Sequence, residues 1–395
     1  MSLQSRREYL ERIRGRYGRA GRAHKSRILD EFCLNCGYHR KHAVRLLTRA
    51  PRPGRKAGRP PRYGPATVVL LKEFWLASDQ MCSKRLQAAA PDWLGYLRAP
   101  LSAKRQLLMM SPATMDRLLS PWRARFGRKR RAGTKPGSLL KKQIPIRTAH
   151  TQITGPGYLE ADTVAHCGGS LSGDFIWTLT FTDVHSGWTQ CRAVWNKGHT
   201  GIHQHLDMAE RESPFPWKGF DCDNGSEFLN HALWDHYRQR PRPVEFTRSR
   251  PNHKNDNAHV EQKNWSAVRQ LLGYDRLEHL EIIPLLNDLY ENEWHWLVNF
   301  FCPTFKLKEK KRVGSKYVKK YERPRTPYAR LLEAAEVSPQ EKEKLRAIRS
   351  GLDPLKLRQR IEKKLRRIFE LQTSMSQDID RRSASSGSQL APATF

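Results

Sequence analysis

The sequence predicts a multidomain chain. It has helical N-terminal regions of helix-turn-helix type, an α/β core with a mixed five-stranded sheet, and a C-terminal segment that is basic and extended, then helical. Three observations lead there. Apolar residues recur at helical spacing through the first 127 residues, strand-forming residues take over at Gly157, and charge divides the 395 residues into three parts. Residues 1–150 hold 35 Lys and Arg against 8 Asp and Glu, residues 151–300 hold 13 against 20, and residues 301–395 hold 24 against 11. Basic flanks around an acidic centre suit a chain that grips a polyanion and whose middle does something other than hold phosphate.

Length alone exceeds one ordinary core. Seven Cys without regular spacing, no signal peptide and no membrane-long apolar run predict a reduced, cytoplasmic protein with no membrane partner. A basic membrane-surface protein would need an amphipathic Lys/Arg helix with a broad apolar face, and no stretch shows one clearly.

Within residues 1–50, Ile28, Leu29, Phe32 and Cys36 fall at helical spacing, Gly37 supplies a turn, and Ala43, Val44 and Leu47 resume the period. This predicts a helix-turn-helix DNA-binding region with Arg40, Lys41 and Arg45 as its contacts, although two helices packed for structure alone give the same pattern. Cys33, Cys36, His39 and His42 are too crowded for a zinc finger, which favours buried cysteines. Residues 51–65 are a basic Pro/Gly/Arg linker. Its Gly58-Arg59-Pro60 resembles an AT-hook, but a plain linker whose Arg55, Arg59 and Arg62 touch phosphates accounts for the same residues. Residues 66–127 form a second helical DNA-binding region. Ser111 caps a helix with Pro112 in its first position, Met115, Leu118 and Leu119 share a face, Thr114 and Arg117 face outward to DNA, and Pro121 stops the run. Residues 128–150 are a basic linker.

Residues 151–300 change period. Tyr158–Val164, Phe175–Asp183 and Trp188–Val194 read as strands, with turns at Asp174 and Ser186-Gly187. A helix over Thr200–Glu212, a strand Gly219–Cys222, a helix near Asn230–Arg238 and a strand Val244–Thr247 follow. Asn255 or Asp256 caps a last helix in which Val260, Asn264, Ala267, Val268 and Leu271 keep a 3.6-residue period. Residues 301–335 are basic and extended, with Lys306, Lys308, Lys310, Lys311 and Arg312 clustered. Residues 336–372 are charged helices and 373–395 a disordered tail.

Three carboxylates stand out in the acidic centre: Asp162 inside the first strand, Asp223 at the end of the fourth, and Glu261 at the start of the last helix. Strand ends and helix starts gather at one rim of an open α/β sheet, so the three can meet. Each also has a plainer explanation. Asp223-Asn224-Gly225 makes a good turn and Glu suits a helix start, whereas Asp within a strand is disfavoured and needs a partner. Grouped carboxylates repel unless cations neutralise them, which a pair of hard divalent ions does. Glu160 and Asp221, each two residues earlier on the same strand face, either support the trio or displace it by one pleat.

The Asp162-Thr163 strand, Asp223-Asn224-Gly225-Ser226-Glu227-Phe228, and the segment Arg250-Pro251-Asn252-His253 to Asn257-Ala258-His259-Val260-Glu261 resemble the integrase core of retroviral integrases and bacterial insertion-sequence transposases. The likeness covers roughly residues 150–300, with 37 residues between Asp223 and Glu261 against a habitual gap of about 35. It implies an RNase H-like fold and an Asp-Asp-Glu triad of Asp162, Asp223 and Glu261 that is both catalytic and metal-binding. Two Mg²⁺ or Mn²⁺ ions, double-stranded DNA as partner (terminal inverted repeats and target), and a homodimer or higher oligomer on DNA follow from it. So does a nucleoid-associated bacterial location. The implied reaction frees a 3′-OH at an element end, which then attacks target DNA directly. His253, Lys254 and Asn257 are expected at the DNA end, with helix capping and solvated surface as the alternative. Retroviral integrases carry a zinc module with His before Cys; here Cys comes first, so zinc is not carried over. An RNase H-like nuclease or resolvase, a catalytically inactive DNA-binding regulator and a structural nucleoid protein are the alternatives.

Overall fold

The computed structural model describes residues 1–49, 62–125, 153–196, 199–222, 235, 237–248 and 263–387. Two compact units make up the chain, Met1–Arg62 and Tyr63–Phe395.

The first unit is three helices, α1 (Leu3–Arg19), α2 (Arg22–Cys36) and α3 (Arg40–Thr48). The expected helix, glycine turn and helix are present. Gly37 ends α2 at φ 68°, where a side chain would be strained, and its N–H closes on the Cys33 carbonyl. Ile28, Leu29, Phe32, Cys36, Ala43 and Leu47 fill the small core. Burial raises the Cys36 thiol pKa, and His39 Nδ1 accepts from the Lys41 N–H, so these residues pack and cap.

The second unit opens with α4 (Pro65–Ala77), α5 (Ser83–Trp93), α6 (Leu101–Leu108) and α7 (Pro112–Arg123). Ser111 caps α7 through the Thr114 N–H as expected. The helix does not stop at Pro121, however, and runs on to Arg123. A proline forfeits one backbone bond and kinks the preceding turn, a small loss so near a terminus; Ala124 N still reaches the Ser120 carbonyl at 3.3 Å.

These four helices share one continuous core with the sheet described next. The indole of the fully buried Trp93 donates to the Phe301 carbonyl at 2.9 Å and meets the Phe301 ring edge-on. Arg85 Nε donates to the Pro303 carbonyl at 2.6 Å.

The sheet contains β1 (Tyr158–Ala165), β2 (Ile176–Asp183), β3 (Thr189–Trp195), β4 (Gly219–Cys222) and β5 (Glu245–Arg248), in the order β3-β2-β1-β4-β5. The first three are antiparallel, while β1–β4 and β4–β5 are parallel. This is the mixed sheet that the alternation of elements implies. Helix α8 (His199–Arg211) links β3 to β4.

Register gives the two faces different chemistry. One face carries Phe246, Phe220 and Leu159 in a row and adds Ala161 and Phe181; the Phe220 and Phe246 rings stack. The opposite face carries the row Thr247, Asp221, Glu160 and Thr182, all at most 5 % exposed.

Two helices follow. In α9, a π-helical stretch Asn264–Arg269 runs into Gln270–Leu272. The expected period of 3.6 therefore fails over Asn264–Arg269, while the expected cap at Asn255 or Asp256 lies outside the described residues: a π turn frees carbonyls, and Trp294 Nε1 takes that of Ala267 at 2.7 Å. In α10, Ile282–Leu289, the π-helical Tyr290–Trp294 and His295–Phe301 succeed one another. Its Asn287 and Asn299 each bond both the N–H and the C=O of an edge-strand residue, Ala193 and Thr189 respectively. The edge of β3 is thereby partnered by side-chain amides.

Beyond Phe301 the chain is more regular than expected. The segment 301–335 contains a hairpin, β6 (Leu307–Val313) and β7 (Lys316–Tyr321), and a helix α11 (Pro327–Glu333). Helices α12 (Pro339–Gly351) and α13 (Pro354–Gly387) follow. The tail expected to be disordered from 373 is helical through Gly387. Buried Ile361 and Ile368 nucleate α13 on the core, Lys364 binds Asp288 and Glu293, and Gln372 accepts from the Glu278 N–H. Extending an anchored helix costs far less than starting one.

Candidate active site

Asp162 lies on β1, half-buried, and its carboxylate is held by two donors. Oδ1 accepts from the Thr163 N–H at 2.8 Å and Oδ2 from Asn264 Nδ2 at 2.6 Å. Asn264 stands three residues after Glu261, at the start of α9. On the other side of β1, Ala161 is in register with Cys222, so the residues preceding Asp162 and Asp223 are neighbours across the sheet. Asp223 and Glu261 themselves lie outside the described residues.

Below Asp162 the row of Glu160 and Asp221 is closed in. The two are register partners, each 2 % exposed, and Asp221 Oδ1 accepts from Thr247 Oγ1 at 2.6 Å. Beside Asp162 the surroundings are less complete. The Thr180 hydroxyl, on the residue paired with Asp162, and the Asn264 carbonyl oxygen are both buried without a hydrogen-bond partner among the described residues. A carboxylate flanked by two unused hard oxygens fits a hydrated Mg²⁺ or Mn²⁺, which takes oxygen ligands and keeps waters that such oxygens can receive. Among the described residues no three His, Cys, Asp or Glu side chains gather to hold a metal. Asn264 and Thr180 went unrecognised in the sequence reading. The signal for Thr180 is its place in the alternation Thr178, Thr180, Thr182 along an otherwise apolar strand.

The expected DNA contacts are unequal. Lys41 and Arg45 are exposed one turn apart on α3, whereas Arg40 is bound to Asp30 and Ser26 and braces α2 against α3. Arg62 and Arg117 are exposed, and Arg117 donates to Thr114 Oγ1 at 3.1 Å. Arg55, Arg59, His253, Lys254 and Asn257 lie outside the described residues.

Behind the sheet's polar face, His166 Nε2, Thr178 Oγ1 and Tyr290 OH form a buried chain at 2.8 and 2.9 Å. Burial pushes His166 from 6.5 down to about 3, aided by Arg269, and burial beside Arg192 does the same to His295. Both folded values lie below the unfolded one. The stability these residues contribute is fully present above about pH 6.5 and is lost as pH falls toward about 3, by up to about 1.4 kcal/mol per pH unit per site. Denaturant unfolding between about pH 7 and about pH 5 checks this, and His166→Gln is expected to remove about one proton from the slope. An unchanged slope would refute the assignment.

Fold and site define an α/β chain whose mixed five-stranded sheet, flanked by helices, carries a half-buried carboxylate beside unused oxygen donors. No protein-family model matches the sequence. It is 42% identical over 348 residues to the uncharacterized protein y4rM of Sinorhizobium fredii, an overlap spanning 84% of this chain and 96% of that one, and it belongs to that protein's family. Two solved structures are similar in part. One is the HTLV-2 integrase catalytic core domain in complex with magnesium (15% identity, 38% of this chain, 92% of that chain, TM-score 0.28). The other is the catalytic core domain of BIV integrase (12% identity, 45% of this chain, 95% of that chain, TM-score 0.29). At those TM-scores neither bears on the assignments that follow. No helix among the described residues is long and apolar enough to cross a membrane.

Proposed function

We propose that this chain is a DNA transposase with an RNase H-like core, in which Asp162, Asp223 and Glu261 hold two Mg²⁺ or Mn²⁺ ions. It cuts the ends of a mobile element and joins the freed 3′-OH to target DNA by direct transesterification. One observation carries the reading: the hydrogen bond from Asn264, three residues after Glu261 in the sequence, to the Asp162 carboxylate on β1. The Ala161–Cys222 register supports the place of Asp223, and the order of three antiparallel strands followed by two parallel ones suits an RNase H-like core.

Divalent ions, when bound, supply activation of the attacking oxygen and stabilisation of the leaving one. The chain's own residues do the rest. Asn264 and the Thr163 N–H fix the Asp162 carboxylate in one orientation, and Glu160 and Asp221 close the floor beneath it. Lys41, Arg45, Arg62 and Arg117 hold duplex DNA through phosphates while paired copies bring two ends together.

The test incubates the full chain and Mg²⁺ with supercoiled plasmid and a labelled duplex bearing the DNA that flanks its gene. Joined products that disappear with EDTA support the reading; binding without cleavage or joining favours a DNA-binding regulator, and cleavage without joining a nuclease. Asn264→Ala adds a finer check. It is expected to raise the Mg²⁺ requirement or lower the rate by about 10- to 100-fold. A variant with the parent's Mg²⁺ dependence would show that Asn264 does not orient the site.

A further inference from the structure

A second site lies beside Lys263 and α9, where four basic side chains converge on two short stretches of chain. Lys263 Nζ donates to the Gly187 carbonyl at 3.0 Å, and Lys306 Nζ donates to His185 Nδ1 at 3.4 Å. Arg330 donates to Ser186 O, Thr304 Oγ1 and Thr304 O at 3.2, 2.6 and 2.8 Å. Arg85 holds the Pro303 carbonyl. All four line a single cavity, together with His185 and Thr304.

Among the described residues the cluster has no paired counter-charge: none of the four has a carboxylate within 4.0 Å, although Arg330 is only 4 % exposed and burial pushes Lys263 from 10.5 down to about 7. Two of the acids nearby are engaged elsewhere. Asp79 lines the same cavity but pairs with Arg358, and Asp183 is saturated by Gly157 N, Ser186 N and Ser186 Oγ. Glu322 acts on Lys306 and Arg330, Glu333 on Arg330 and Glu336 on His185; these three carboxylates line a neighbouring cavity with Lys306 and Arg330 but form no ion pair with them. The Arg330 Nε–H is buried with no hydrogen-bond partner among the described residues. Buried cations held only by neutral acceptors are costly unless an anion completes them. A tetrahedral oxyanion matches several cationic donors and the Thr304 hydroxyl.

We propose that this cavity is a phosphate-binding site that takes one phosphate group, either of a nucleic-acid backbone or free in solution. If the group belongs to DNA, the site rests on the transposase reading and anchors a strand beside α9. The binding chemistry stands without it.

The test titrates the full chain with inorganic phosphate by calorimetry at constant ionic strength. Saturable binding is expected in the parent. Lys306→Met and Arg85→Met should each weaken it by about tenfold or more. Lys320→Met, which removes an exposed cation of the β6–β7 hairpin, should change it by less than about twofold. Circular dichroism confirms that the variants fold. No saturable binding, or equal loss in all three variants, would overturn the proposal, because nonspecific attraction to a basic surface would then explain it. A duplex arm separates the sources. If DNA supplies the phosphate, Lys306→Met lowers the salt slope of duplex binding by about one; if the ligand is free phosphate, duplex binding is unchanged while phosphate binding is lost. Asp162→Asn should keep phosphate binding intact, so a failure of the catalytic reading registers separately.

Discussion

Replacing Asp162 by Asn is expected to abolish Mg²⁺-dependent joining, with a fall on the order of 10³-fold, while duplex binding stays within about twofold. The change is nearly isosteric; the one remaining oxygen can keep the Asn264 contact while the acceptor of the Thr163 N–H is given up, a local loss that leaves the packing in place. What it removes is the negative charge that a hard cation needs and that an amide cannot supply. Asp223→Asn and Glu261→Gln should give the same phenotype, because residues acting as a unit fail together. Glu160→Gln provides the contrast. It sits in the closed floor, and if it were a ligand in place of Asp162 it would show the larger loss. Joining by Asp162→Asn at the parent rate would rule out its role.

The second large effect is structural. Trp93→Ala should destabilise the Tyr63–Phe395 unit by about 3–5 kcal/mol. This residue is fully buried, donates to the Phe301 carbonyl, and presents its ring to Phe74 and Phe301. Truncation leaves a cavity and an unmet carbonyl at the seam between α5 and α10. Chemical denaturation measures the loss, and limited proteolysis should release α4–α7 first. Trp122→Ala, at a partly buried position, is expected to cost much less. Equal and small costs at the two tryptophans would mean that α4–α7 do not depend on that seam.

Much of this architecture was readable because single residues carried unambiguous physics. Gly37 could end a helix, and the strand runs from Tyr158 onward were rich in residues that fit a pleated surface. Asp162 stood out because a strand seldom holds an Asp without a reason. Other features were hidden for equally physical reasons. The β6–β7 hairpin is built largely from Lys, a poor strand former, so composition pointed to extended chain without pairing. Pro121 looked like a terminator because sequence does not show how near the helix end it lies. The Ser-rich stretch 373–387 lacks apolar period; its helix continues an anchored one and gains a contact between Ser376 and His279, neither of which a local pattern shows. Asn264 fell within an apolar stripe by spacing. Its role depends on a carboxylate 102 positions away in the chain, which no local pattern reveals.

The most direct measurement is anomalous diffraction from crystals of the full chain soaked in Mn²⁺. Two peaks are expected beside the carboxylates of Asp162, Asp223 and Glu261, both lost in Asp162→Asn crystals. Mn²⁺ bound elsewhere, with no peak at Asp162 in a protein that still joins DNA ends, would contradict it.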